Sequence, residues 1–321
     1  MRSAQTPLPD LPLKGGGAIG VEDPKRAMPR RLVPYVFVAL WCAGFSFIKI
    51  GLAHAEPMTY LALRHGLCLL VFAALAAAIR PPLPASAAAW AHLIVVGVVI
   101  QFFYFALCYV AVAYGVSPGG LALIASLQPI LVGLLAPGIV GEAVTLRRWL
   151  GLVLGLAGAA LVVTARGALG AGSLVGLLGA VGALLAITAG TLYEKRLGTG
   201  EHVVTANLVQ YAAGLAVSLP LALGFETMRV DWTPDFVVAL AYLVVASSLI
   251  STTLLLLMVR HGEVSRVSAI FFLVPPSAAL AAWLIAGETM PPVAWAGMVL
   301  AAAGVATRRA PERSQGAIAS S

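Results

Sequence analysis

Arg64 and His65 stand side by side in an apolar run that begins at Pro57. An arginine near the middle of a bilayer costs ~2.5–3.5 kcal/mol on insertion scales, so it calls for a partner or a wet cavity. Helical rise puts Arg64 about 10 Å below the outer end of that run. Two readings follow. Arg64 is either a cation that attracts a carboxylate or phosphate, or a side chain that snorkels to the outer headgroups or braces a loop. His65 is the near-neutral titrating group expected at depth. No Asp or Glu falls in the middle third of any apolar run, so no intramembrane carboxylate relay is expected.

Further along, Gln101, Tyr104 and Phe105 recur at helical spacing with Cys108 one turn on, and Ser247, Ser248, Ser251 and Thr252 answer them in a later run. Such an aromatic and hydroxyl lining suits a small metabolite of mixed polarity, or else serves interhelical hydrogen bonding. Pro129 and Pro275 each remove a helix N–H and free the carbonyls of Ala125 and Phe271. At membrane depth those carbonyls need water, protein or a ligand. Gln128 and Ser126 lie beside the first proline. Tyr193 and Tyr114 are placed to close cavity ends, and Asn207 and Gln210 read as packing residues. The candidate binding set is Arg64, His65, Gln101, Tyr104, Gln128, Pro129, Tyr193, Ser248, Ser251, Phe271 and Pro275.

Lys49 reads as a snorkelling residue, and Glu142 and Glu288 as fold residues at helix ends. Cys42, Cys68 and Cys108 read as small core residues. Signals of enzymatic chemistry are poor. Residues 115–119 match GxSxG but lie between two apolar runs, not on a strand-to-helix elbow. Gly15, Gly17 and Gly20 match GxGxxG with no strand before them or helix after. No cofactor, metal or nucleic acid is expected.

The elements that position these residues are membrane helices. Hydrophobic residues make up 60% of the 321 and charged residues 10%, far below the roughly one quarter of soluble chains; mean hydropathy is +0.97. Ten spans of the ~20 residues needed to cross hydrocarbon are expected at 32–53, 57–79, 88–113, 117–136, 146–164, 173–194, 203–224, 235–259, 264–285 and 291–307. The chain is also duplicated. Moving 146 positions along the sequence carries Gly44 onto Gly190, Lys49 onto Lys195, Pro129 onto Pro275, Glu142 onto Glu288 and Trp149 onto Trp295 without a gap. Residues 1–31 form a polar, disordered tail, 32–164 and 173–308 the two units, and 309–321 a second tail. Lys25, Arg26, Arg30 and Arg31 ahead of the first span imitate a signal peptide, but Lys49 interrupts the apolar stretch and the span has a counterpart in the second unit. It reads as a retained helix.

With a cytoplasmic N-terminus, the inside loops and tails hold Arg80, Arg147, Arg148, Lys195, Arg196, Arg260, Arg266, Arg308, Arg309 and Arg313; the outside loops hold Arg166 and Arg229. This bias puts both termini in the cytoplasm. Five spans per unit is odd, so the second unit enters the membrane upside down, an architecture of secondary transporters.

In these features the sequence resembles a ten-helix member of the drug/metabolite transporter superfamily, of the EamA type. The likeness rests on Leu127-Gln128-Pro129 through Gly141-Glu142, Val274-Pro275 through Gly287-Glu288, the Trp and glycine-rich helix after each, Pro57 with Arg64, and Gly190 through Arg196. It implies an all-α fold of two inverted five-helix repeats, a cavity lined by spans 1, 3, 4, 6, 8 and 9, and transport of a small metabolite across a bacterial inner membrane. Export of an amino acid or related compound is the leading expectation. Uptake of an organic anion, or a membrane structural or receptor-like role without transport, are the alternatives. We predict that reporter fusions place Arg147 and Arg260 in the cytoplasm and Arg229 outside. A periplasmic signal at Arg147 would overturn this topology.

Overall fold

The computed structural model describes residues 33–141, 145–165, 173–198, 200–261, 273, 274, 276, 277 and 291–306. These form α1 (Val33–Gly51), α2 (Pro57–Ile79), α3 (Ala87–Ala113), α4 (Pro118–Ile139), α5 (Leu146–Ala165), α6 (Leu174–Leu197), α7 (Val203–Phe225), α8 (Pro234–Arg260) and α9 (Pro292–Ala306). Among the described residues, seven helices are long and apolar enough to cross a membrane: α1 to α4 and α6 to α8. The chain is therefore a multi-pass, helical membrane protein. The span expected at 264–285 lies almost wholly outside the described residues, and Phe271, Pro275, Glu142 and Glu288 lie outside them too. Helix α9 occupies the place of the tenth expected span.

Local chemistry starts the helices where the sequence suggests. Pro57, Pro118 and Pro234 stand in first turns, where a missing N–H leaves no ladder bond unmade. Ser86, Ser117, Ser173 and Thr233 cap their helices by accepting from Ala89, Gly120, Gly176 and Phe236 amides at 3.0–3.2 Å. Gly141, at φ +74° just beyond α4, has the left-handed conformation that suits a helix stop.

The duplication is visible in the element boundaries. Helices α2 and α7 both start and end 146 positions apart, as the starts of α5 and α9 do. The same offset relates an irregularity absent from the expectation: α3 becomes π-helical at Gly97–Tyr104 and α8 at Leu243–Thr252. In α8, Ser251 and Thr252 hydroxyls donate five residues back to the carbonyls of Ala246 and Ser247, at 2.9 and 3.1 Å. Helices pair across the units: α1 with α8, α3 with α6, α2 with α7 and α5 with α9. Exchanging the units leaves that set of pairs unchanged. In α5 the buried Gly151, Gly155 and Gly158 allow the close approach that small residues provide.

The break in α4 differs from the expected proline kink. Helical geometry stops at Ser126 and Leu127 and restarts at Gln128, so Pro129 sits in the first turn of a second segment. The Ser126 hydroxyl donates to the Leu123 carbonyl at 2.6 Å.

At one end of the bundle the α1–α2 and α7–α8 connections are bonded together. Glu226 accepts from the amides of Met58 and Thr59 at 2.8 and 2.6 Å, capping α2 from another helix. Glu56 accepts from the Thr227 amide and hydroxyl, each at 2.7 Å. The Thr227 hydroxyl, followed by its amide, holds Glu56 below the usual carboxylate range.

Inside the bundle, α3 and α7 touch at Gly97. A Cβ there would meet the Cα and carbonyl oxygen of Gln210 at 2.7 Å, whereas one at Gly66 would meet nothing within 4 Å. We predict that Gly97→Ala lowers stability by about 1–3 kcal/mol, the usual cost of overpacking. Gly66→Ala should be neutral or slightly stabilising, as expected for a helix interior. Thermal unfolding in detergent would read both.

Candidate functional site

Arg64 points into the bundle. It is fully buried, which excludes a snorkelling side chain. Its Nε donates to the Ser248 hydroxyl at 2.8 Å and its Nη2 to Ser247 at 3.4 Å, both on the π-helical segment of α8. The guanidinium carbon lies 3.9 Å from the centre of the Phe105 ring, a cation–π contact that is strong when desolvated. Nη1 has no hydrogen-bond partner among the described residues. The Tyr109 and Tyr211 phenols lie within electrostatic reach of this charge, with Tyr109 near enough to interact with the guanidinium directly. Among the described residues no carboxylate pairs with it.

His65 continues the polar band on the other side of Tyr211. Its Nδ1 is 3.1 Å from the Ser218 hydroxyl and its ring meets Tyr211 edge-on at 5.9 Å. Nε2 has no partner among the described residues. Gly214 gives the ring room, since a Cβ there would stand 3.1 Å from His65 and 3.0 Å from the Gln101 side chain. Gln101 is fully buried, and neither its amide nitrogen nor its oxygen is bonded among the described residues. Tyr104 lies across the Trp41 indole, 5.9 Å between centres and nearly parallel, and Trp41 also meets Phe105 at 6.0 Å. The result is a buried compartment with aromatic walls, one guanidinium and several unengaged amide and imidazole atoms. Unsatisfied buried groups are costly, and such a concentration fits a place built to surround a polar ligand.

The structure brings Arg64, His65, Gln101, Tyr104 and Ser248 into this region. Gln128 is elsewhere, donating to the Thr191 hydroxyl at 3.4 Å between α4 and α6, beside Pro129. Ser251 gives its proton to its own helix. Tyr193 stacks on His92, 5.1 Å between ring centres, rather than joining the Arg64 group. Tyr114 is half exposed. Asn207 donates to Val203 and Thr253, the packing role expected of it. The cysteines are buried and unbridged.

Two buried groups near the ends of their helices were not anticipated. His92 is buried in the second turn of α3. A buried carboxylate also exists: Glu194, near the end of α6, lies between His92 Nε2 at 2.9 Å and Arg260 Nε at 2.6 Å. Tyr109, Tyr211 and Trp41 were missed too. Tyr211 carried a signal, since the repeat sets it against His65; the other two, in apolar runs, carried none.

Each unit matches the EamA-like transporter family, at residues 33–164 and 174–307. A Bacillus subtilis protein described as "Uncharacterized transporter YvbV" is 28% identical over 269 residues, covering 82% of this chain and 86% of the relative. A Salmonella typhimurium protein described as "Probable amino-acid metabolite efflux pump" is 23% identical over 280 residues, covering 84% and 90%. A solved crystal structure shares the fold at a TM-score of 0.70 and 19% identity, over 86% of this chain and 95% of that one.

Gln101 gives a direct test of the compartment's energetics. An unsatisfied buried polar group costs ~1–3 kcal/mol. We predict that Gln101→Leu raises the unfolding midpoint of the ligand-free protein. A fall like that of a bonded core glutamine would contradict the geometry.

Proposed function

The chain belongs to the EamA-like transporter family, and from that premise we propose that it exports a small carboxylate-bearing metabolite, an amino acid or a close relative, by alternating access across a bacterial inner membrane. The observation that carries the substrate class is Arg64. Among the described residues no carboxylate neutralises its buried guanidinium, and its Nη1 edge turns toward tyrosines that can also donate. Guanidinium groups recognise carboxylates through short, charge-assisted hydrogen bonds. The aromatic wall of Trp41, Tyr104 and Phe105 suits the apolar part of such a solute. The name of the Salmonella relative, an amino-acid metabolite efflux pump, supports both the solute class and the direction.

Alternating access draws support from the duplication. Two units with coincident boundaries and exchangeable helix pairs, related by an odd number of spans, form an inverted pair in which inward-open and outward-open arrangements have comparable energy. The charge pattern gives the orientation. Arg80, Lys195, Arg196 and Arg260 gather at one end, and Glu56, Glu226, Asp231 and Asp235 at the other. By the positive-inside rule the basic end faces the cytoplasm, with both termini.

Counterflow of labelled amino acids in proteoliposomes tests the proposal. At equal membrane abundance, Arg64→Gln should lose tenfold or more of the flux, about 1.4 kcal/mol of recognition. Arg64→Lys, which keeps the charge but not the planar fork, should lose less. Flux of Arg64→Gln equal to the parent's would remove Arg64 from the site.

A further inference from the structure

The Arg64 compartment leaves unused a second buried polar group at the basic end of the bundle. Glu194 on α6 holds His92 of α3 with one oxygen and Arg260 of α8 with the other. Glu194 and His92 are buried, and the Arg260 side chain is nine-tenths buried. Arg260 also donates from Nη1 to the Glu201 carbonyl, tying α8 to the turn before α7. Three spans from both units thus meet on one carboxylate. A cavity of about 390 Å³ opens against it, lined by Glu194, Lys195, Glu201, His202 and Arg260 among others.

The duplication makes the group one-sided. At the 146-position offset Glu194 faces Ile48, His92 faces Val238 and Arg260 faces Tyr114. The other end is held by different chemistry, Glu226 and Glu56 on backbone amides and threonine hydroxyls.

We propose that His92, Glu194 and Arg260 form a proton-binding latch that links opening of this end to uptake of a proton by His92. With Arg260 engaged, Glu194 is already neutralised, and a charged His92 would leave a net positive charge in a poorly solvated place. When α8 withdraws Arg260, Glu194 is left as a buried, unpaired carboxylate, which is strongly unfavourable. A proton on His92 restores the balance. Histidine is the side chain that changes charge between about pH 5 and 8. His92 touches Tyr193 and Glu194 of α6; Arg260 of α8 reaches it through Glu194, and Lys195, Glu201 and His202 line the adjoining cavity. Because the open state binds the extra proton, acid favours opening.

A cysteine in place of Leu256, buried one turn inward from Arg260, reports opening through its rate of modification by a small, charged thiol reagent. At each pH that rate is divided by the rate of a cysteine replacing exposed Leu197, which cancels the reagent's own pH dependence; the parent chain supplies the blank. Between about pH 8 and pH 5.5 the ratio should climb several-fold. His92→Gln should flatten it, His202→Asn should preserve it, and Glu194→Gln should raise it at both pH values. If His92→Gln does not fold, Arg260→Gln should show a raised, flat ratio. A flat ratio in the Leu256→Cys protein, or an unchanged climb with His92→Gln, would overturn the latch. The inference takes its two states from the alternating-access reading, but the assay needs no substrate. Loss of flux alone and loss of the pH response are therefore separate results.

Discussion

Hydrocarbon offers no hydrogen bonds, so a polar group in this protein must be satisfied by another part of the chain or by what the protein carries. Arg64 is the severest instance. Desolvating a guanidinium costs several kcal/mol, and α2 cannot place it in the bundle unless other elements receive it. Two hydroxyls of α8, the Phe105 ring and the nearby phenols do so. Two of these elements carry π-helical segments, a distortion often found at functional sites. Placing Ser247 and Ser248 for Arg64 sets the register of α8, and the Ser251 and Thr252 hydroxyls engage the carbonyls of that same segment.

The ends of the bundle are organised differently from its centre. At the acidic end Glu226 and Glu56 bind backbone amides and the hydroxyls of Thr59 and Thr227. At the basic end the bonds are ionic and buried, and they join three spans. A pair of like halves folded from a duplicated sequence has thus acquired unlike ends. That asymmetry gives the two ends different chemistry even though the helices that reach them correspond.

Much of the helix layout was legible in the sequence. Pro57 marks a start through chemistry confined to a few residues, and the repeat fixes the boundaries of α2 against those of α7. The π-helical segments were not legible, because helices apolar on every face carry no register signal in their periodicity. In α4, Pro129 was expected to interrupt the ladder of a continuous helix, yet the first segment already ends at Ala125, where Ser126 turns back on Leu123. Arg64 announced itself by its charge, but its burial depended on hydroxyls 183 and 184 positions away. Glu194 hid near a helix end among ordinary loop charges. Its partners lie 102 positions before it and 66 after it, and only the packing of α3, α6 and α8 joins them.

The central claim is that the Nη1 edge of Arg64 recognises a carboxylate. The most direct measurement is the unfolding midpoint of the protein in nanodiscs with matched pairs of amino acids and their carboxamides, which differ at that one group. A ligand that binds only the folded state raises the midpoint in proportion to its affinity and concentration. The acids should stabilise the protein and the amides should not, and Arg64→Gln should abolish the difference. Equal stabilisation by acid and amide, or a difference that survives Arg64→Gln, would contradict the account.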